Sequence, residues 1–139
     1  MNVLFICREN VGRSQIAQTL YEKITGEQAY SAATHVNIEG QQIGERPLAE
    51  PVIRHMKGEG YDISDSIATQ VTRKMVAHAD HIIVLCEQDL LPNFVRESDK
   101  LIYWHIPDPC GKPDQVFEDL ILFLKKKILD NEYTDIKNI

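Results

Sequence analysis

Val3–Ile6 and Ile82–Leu85 are each apolar without a break. Both are short and rich in strand formers, the pattern of a strand covered on both faces of a parallel sheet. Tyr30–Thr34 and Leu101–Ile106 are weaker runs of the same kind. Between them the apolar positions recur at helical spacing. Ser14–Ile24 predicts a helix that stops at Gly26. Pro47 fits the first turn of a helix that carries Val52, Ile53 and Met56 before Gly58 and Gly60. Thr72 is placed to cap a short helix over Arg73–Ala79. Asp114–Leu129 is the longest helical pattern. Val116, Leu120, Phe123, Leu124 and Ile128 form its apolar stripe, and Lys125–Lys127 complement its C-terminal dipole.

Alternating strands and helices predict a single α/β domain: a four-stranded parallel sheet, doubly wound, with helices on both faces. Residues 1–130 are expected to form this domain, and residues 131–139 a polar, frayed tail. In such sheets ligands bind beyond the carboxyl ends of the strands. Cys7 follows Val3–Ile6, Cys86 follows Ile82–Leu85, and Asp108 follows the Leu101 run. If the strands are parallel, all three stand on one rim.

The 139 residues carry a formal charge of −6 and are 43% hydrophobic. That balance suits an ordinary globular domain and argues against a nucleic-acid partner, which calls for a basic face. No stretch reaches membrane-span length and no secretory leader pattern opens the chain. The three cysteines are sparse, odd in number and lack C-x-x-C spacing, so they are expected to be free thiols in a reducing cytoplasm. The five histidines do not pair with them at zinc-ligand spacing, and no metal is expected.

The chemistry concentrates in Cys7-Arg8-Glu9-Asn10-Val11-Gly12-Arg13-Ser14, between the first strand and the first helix. A helix N-terminus offers unpaired N–H groups and a positive dipole end, and successive loop N–H groups can cradle oxyanion oxygens. Arg13 can grip two oxygens of a tetrahedral oxyanion at once. The same positive field favours Cys7 as a thiolate nucleophile. Gly12 eases the curve before Arg13. Asn10 tolerates left-handed backbone and can tie the loop with its side chain. Ser14 can cap the helix or donate a hydrogen bond to the thiolate. The plainer alternative makes Cys7 a small buried hydrophobe and Arg13 a solvated residue at a helix start.

The stretch VLFICRENVGRS resembles the active-site loop of the low-molecular-weight protein tyrosine phosphatase superfamily, which includes related arsenate reductases. Its pattern, Cys-x-x-Asn-x-x-Arg-Ser after the first strand, is matched by Cys7, Asn10, Arg13 and Ser14. Its late Asp-Pro pair is matched by Asp108-Pro109. SAAT at Ser31–Thr34 and EGYDISDSIATQVT are further similar segments, so the resemblance runs from about Asn2 to Leu129. It implies a phosphate-binding loop formed by residues 8–14, with Cys7 as nucleophile, Arg13 as oxyanion clamp and Asp108 as general acid. It implies a cysteine-dependent phosphatase acting on phosphate monoesters, phosphotyrosine in proteins among them, with no cofactor.

Some features resemble the reductases instead. Gln15 follows Arg13-Ser14 where the phosphatases usually have proline, and Cys110-Gly111 follow Asp108-Pro109 where they have aromatic residues. No aromatic residue lies between Thr34 and Gly60 to wall a phosphotyrosine ring. Cys86 resembles the second redox cysteine of thioredoxin-coupled reductases. Asn93 stands where their third would be, and Cys110 is a substitute at a different position. The alternative is therefore an arsenate reductase with Cys86 or Cys110 as redox thiol and a thioredoxin-type partner. A module that binds phosphate or arsenate without turnover ranks third, because it needs neither thiolate nor acid.

Overall fold

The computed structural model describes residues 1–130. The tail expected over residues 131–139 lies outside the described residues. Four strands, β1 (Val3–Cys7), β2 (Tyr30–Ala33), β3 (His81–Val84) and β4 (Leu101–Tyr103), form one sheet in the order β2-β1-β3-β4. Every pairing is parallel, with Phe5 opposite Ser31 on one side and Ile83 on the other. Five helices complete the domain: α1 (Arg13–Thr25), α2 (Glu50–Gly58), α3 (Arg73–His78), α4 (Asn93–Arg96) and α5 (Asp114–Leu129).

All five residues of β1 are buried, because helices cover both faces of the sheet. Successive side chains of a strand point to opposite faces. Phe5 meets the ring of Tyr21 from α1 at 5.9 Å, while Leu4 opens onto the cleft lined by Met75 of α3. α1 packs on β1, β2 and α5; α2 lies against α5; α3 lies against α4. From β1 the chain crosses first to β2 on one side, and later β3 adds on the other. The loop after β1 thus sits where the strand order reverses, the ligand-binding crevice of open α/β sheets.

The sequence expectations hold in outline and shift in detail. α1 stops at Gly26, whose φ of 74° no side chain adopts readily and whose N–H donates to Glu22 O at 3.0 Å. Thr72 caps α3 by accepting the Met75 N–H at 3.2 Å. The helix expected from Pro47 divides into a 3-10 turn, Pro47–Ala49, and α2 proper. β4 ends at Tyr103 rather than Ile106, because its partner β3 ends at Val84 and the ladder runs out. The Trp104 N–H still reaches Val84 O at 3.0 Å. On α5 the buried stripe is Phe117, Leu120, Ile121, Leu124 and Ile128, with Val116 half-buried and Phe123 exposed. The helix turns this way because Phe117 stacks on His55 of α2, ring centroids 5.2 Å apart and 7° from parallel. α4 and the 3-10 turn Gln88–Leu90 were not anticipated; at four and three residues they are too short to show a period. Among the described residues no helix is long and apolar enough to cross a membrane.

The segment leading to Pro47 is held by a close backbone approach. Gly44 donates to Ser64 O at 2.8 Å and Ile43 to Ser66 O at 2.9 Å. A Cβ on Gly44 would lie 2.8 Å from Ser64 O and 3.1 Å from Ser64 Cβ. Gly44→Ala is therefore expected to destabilise the domain by about 1–3 kcal/mol, the usual cost of forcing atoms into a packed contact. A urea titration measures this. An unchanged midpoint would mean that the turn can move aside freely.

Candidate active site

The loop from Cys7 to Arg13 is shaped by one buried amide. Asn10 has φ 59° and is fully buried. Its Oδ1 accepts the backbone N–H of Thr69 at 3.0 Å. A backbone N–H can only donate, so this contact fixes which end of the amide is oxygen. Nδ2 must then donate to Ser14 Oγ at 2.7 Å and Ser31 Oγ at 3.0 Å. Ser14 Oγ accepts from Asn10 and lies 2.9 Å from Cys7 Sγ, close enough to donate its proton once the sulfur is a thiolate. A donor aimed at the sulfur stabilises its negative form. Ser31 passes its proton to Gln18 Oε1 at 2.6 Å, and Gln15 Nε2 donates to Asn10 O at 3.1 Å. Gln15, which sets this chain apart from the phosphatases' proline, therefore braces the loop from beneath.

Ser14 does not cap α1. Gly12 is the N-cap, with φ −108° and ψ −92°, and no side chain bonds the first turn. Among the described residues, no backbone N–H from Arg8 to Ser14 donates to a protein acceptor. These groups and the N-terminal end of α1 are left available to an anion.

Arg13 is 4% exposed. Its Nη1 donates to Ile106 O at 2.8 Å and Leu85 O at 3.3 Å, and lies 3.7 Å from Glu87 Oε1. Anchoring through Nη1 leaves the rest of the planar fork for an oxyanion. Cys7, Arg8, Glu9, Val11, Gly12, Arg13, Asp108 and Cys110 line one cavity of about 80 Å³. Its size suits a single phosphate- or arsenate-sized group. Asn10 and Ser14, expected to bind substrate, lie under the loop and do not line this cavity with side chains. Asp108 is exposed, and its Oδ1 accepts the Cys110 N–H at 3.0 Å.

The wall opposite the loop was not foreseen. Arg46, Leu48 and Val52 line it, with Phe117 from α5. Pro47 marked this segment only as the start of a helix; nothing local in the sequence ties it to the Cys7 loop. Phe117 stands beside Val116, which the apolar period places on the buried face in its stead.

The three thiols are free, Cys7 and Cys86 buried and Cys110 exposed. Burial pushes the Cys86 thiol up to about 11; charge on the nearby Cys7 adds to this and Arg13 opposes it. Cys86 is accordingly a neutral thiol at neutral pH. Among the described residues no cluster of His, Cys, Asp and Glu is arranged to hold a metal ion.

Two outcomes are expected. Asn10→Ala removes three side-chain hydrogen bonds and strands the Thr69 N–H, which should cost roughly 2–4 kcal/mol. Urea denaturation reads the loss, and a change below a few tenths would contradict the bracing role. Iodoacetamide at pH 8 should label the exposed Cys110 while sparing Cys86, whose alkylation rises only as pH approaches about 11. Peptide mass mapping decides this, and rapid labelling of Cys86 in the folded protein would refute it.

Comparison with known proteins agrees with this arrangement. The family model described as low molecular weight phosphotyrosine protein phosphatase matches residues 2–131. Arsenate reductase 2 of Staphylococcus haemolyticus is 30% identical over 123 residues, 84% of each chain. The tyrosine phosphatase AmsI of Erwinia amylovora superposes with a TM-score of 0.75 at 23% identity, over 92% of this chain and 88% of that one. The YwlE arginine phosphatase of Geobacillus stearothermophilus gives 0.77 at 20% identity, over 95% and 90%. These two structures share the fold. With the family model spanning nearly the whole chain and the Cys7 loop in place, the chain belongs to the low molecular weight phosphotyrosine protein phosphatase family.

Proposed function

We propose that the protein is a cysteine-dependent phosphatase that hydrolyses phosphate monoesters through a phosphocysteine intermediate. The observation that carries this is the shared cavity: Cys7, Arg13 and Asp108 all line it, with the Ser14 hydroxyl at Cys7 Sγ. The phosphoryl oxygens would sit on the loop N–H groups and the free edge of Arg13. Cys7 thiolate attacks phosphorus in line with the ester oxygen, and protonated Asp108 gives its proton to the departing alkoxide. Asp108 carboxylate then takes a proton from water as that water attacks the phosphocysteine. Inorganic phosphate leaves, and Cys7 returns to its thiolate. Positioning and charge stabilisation carry most of such a reaction. In this proposal the protein needs no cofactor, and a cytoplasmic setting keeps its thiols reduced.

A second reading, arsenate reduction, is favoured by the 30% identical arsenate reductase and by Cys86 beside Cys7. There Cys7 would attack arsenate and a second thiol would attack Cys7, giving a disulfide and arsenite, with a thioredoxin-type reductant restoring the thiols. It ranks second because the high-lying Cys86 thiol is a poor attacking group and Cys110 is exposed at the mouth.

The test is a paired assay with p-nitrophenyl phosphate and with arsenate plus thiol reductant. Steady hydrolysis of the aryl phosphate, lost in Cys7→Ser, is expected. Asp108→Asn should slow hydrolysis of alkyl phosphates about 10²–10⁴-fold and of p-nitrophenyl phosphate much less, since a good leaving group needs no acid. Arsenite release with a Cys7–Cys86 or Cys86–Cys110 link in the mass spectrum would put the reductase first.

A further inference from the structure

Arg46 lines the cavity that holds Cys7, yet phosphoryl transfer as derived above gives it nothing to do. It stands immediately before Pro47, in the segment that Gly44 locks against Ser64. Its Nη2 donates to Oε1 of Glu9, a residue of the phosphate loop, at 3.0 Å. Its side chain is 14% exposed, and Nη1 is closed to water with no hydrogen-bond acceptor. A buried, unpaired donor costs about 1–3 kcal/mol, more on a charged group. The chain therefore holds a guanidinium at the cavity wall, tethered by one nitrogen and unsatisfied at the other. Nη1 gains an acceptor only when the guanidinium turns it toward the cavity, where a ligand anion meets it.

The rest of the wall restricts what the ligand can be. Leu48, 71% exposed, and Val52 are aliphatic. Phe117 is the sole aromatic residue lining the cavity among the described residues; it is 2% exposed and its ring is stacked on His55. No free ring face is offered to an aryl leaving group. A cavity of about 80 Å³ takes one tetrahedral group, which Arg13 and the loop hold, so the rest of a substrate lies at the mouth, beside Arg46 and the exposed Leu48. A planar carboxylate matches a guanidinium fork.

We propose that Arg46 determines specificity, and that the substrate is a small aliphatic phosphate monoester whose leaving group carries a carboxylate: a phosphorylated hydroxy acid. The carboxylate turns Nη1 into the cavity and pairs with it, while Glu9 keeps its hold on Nη2. Leu48 and Val52 cover the short carbon skeleton. The proposal rests on the phosphatase reading for turnover but not for binding.

The test uses a matched pair, 2-phosphoglycerate and glycerol 2-phosphate, which differ only in carboxylate against hydroxymethyl. The native protein should favour 2-phosphoglycerate in kcat/KM by about tenfold, the equivalent of ~1.4 kcal/mol. Arg46→Gln should bring that ratio close to one, chiefly by raising KM for the carboxylated substrate, and Arg46→Lys should restore part of it. No native preference, or equal loss on both substrates in Arg46→Gln, overturns the proposal and leaves Arg46 as a brace for Glu9. Calorimetry on Cys7→Ser, with and without Arg46→Gln, measures the same preference without turnover. If that preference is present and falls with Arg46 while the native protein hydrolyses neither compound, the Arg46 proposal stands and the phosphatase reading falls. If both compounds are hydrolysed and bound alike, the Arg46 proposal alone falls.

Discussion

The hydrogen bond from the Thr69 N–H to Asn10 Oδ1 is the contact on which the geometry around Cys7 depends. It joins the segment after Ile67 to the loop after β1, two parts of the chain far apart in sequence. It holds Asn10 in a left-handed conformation that a branched residue resists. It also sets a one-way order of donors. Thr69 gives to Asn10, Asn10 gives to Ser14, and Ser14 can give to the Cys7 thiolate. The arrangement reads as a relay of constraint, with a backbone group at one end and the Cys7 sulfur at the other. Asn10, Ser14 and Cys7 are buried, so water competes little with the bonds between them.

Arg13 performs the matching task for the sheet. Its Nη1 bridges carbonyls after β3 and after β4, Leu85 O and Ile106 O. A buried guanidinium is costly unless its donors are satisfied, and two carbonyls at strand ends meet that need. The consequence is positional. The helix that begins at Arg13 is pinned to the rim from which Asp108 follows two residues after Ile106.

The thiols divide by environment. Cys86 is buried behind the site, and burial keeps it neutral; Cys110 is exposed at the mouth. Cys7 differs from both in having a hydroxyl donor and a cradle of unpaired N–H groups in front of it. Three residues of one chemical type thus receive three different characters from packing alone. In the second layer, Arg54 and His55 of α2 both bond Asp114 at the start of α5, at 3.0 and 3.2 Å. That holds together the two helices that supply Val52 and Phe117 to the wall.

The sheet, its order of strands and helices, and the Cys7–Ser14 loop were legible in the sequence because each is a local pattern. Val3–Cys7 is apolar throughout, α1 begins and ends at glycines, and the loop's residues lie within eight consecutive positions. Asp108 was legible through the rule that strand carboxyl ends share a rim in a parallel sheet. Asn10's left-handed backbone and its tie to the loop were legible as well; its partner Thr69 and the roles of Gln15 and Arg46 were not. Asn10 acts through Thr69, Gln15 through Ile67 O, and Arg46 through Glu9, each across tens of residues. On α5 the expected Leu120, Leu124 and Ile128 are buried, but Phe117 and Ile121 take the places expected for Val116 and Phe123, because Leu120–Leu124 is apolar throughout and its period does not fix one rotation of the helix. Stacking on His55 selected the rotation. Sequence by itself determined which groups could do chemistry and that they would meet on one rim, because strand and helix periods are properties of neighbouring residues. Tertiary structure alone decided which way each donor points and what stands on the opposite wall, because hydrogen-bond direction and cavity shape arise only where distant segments come into contact.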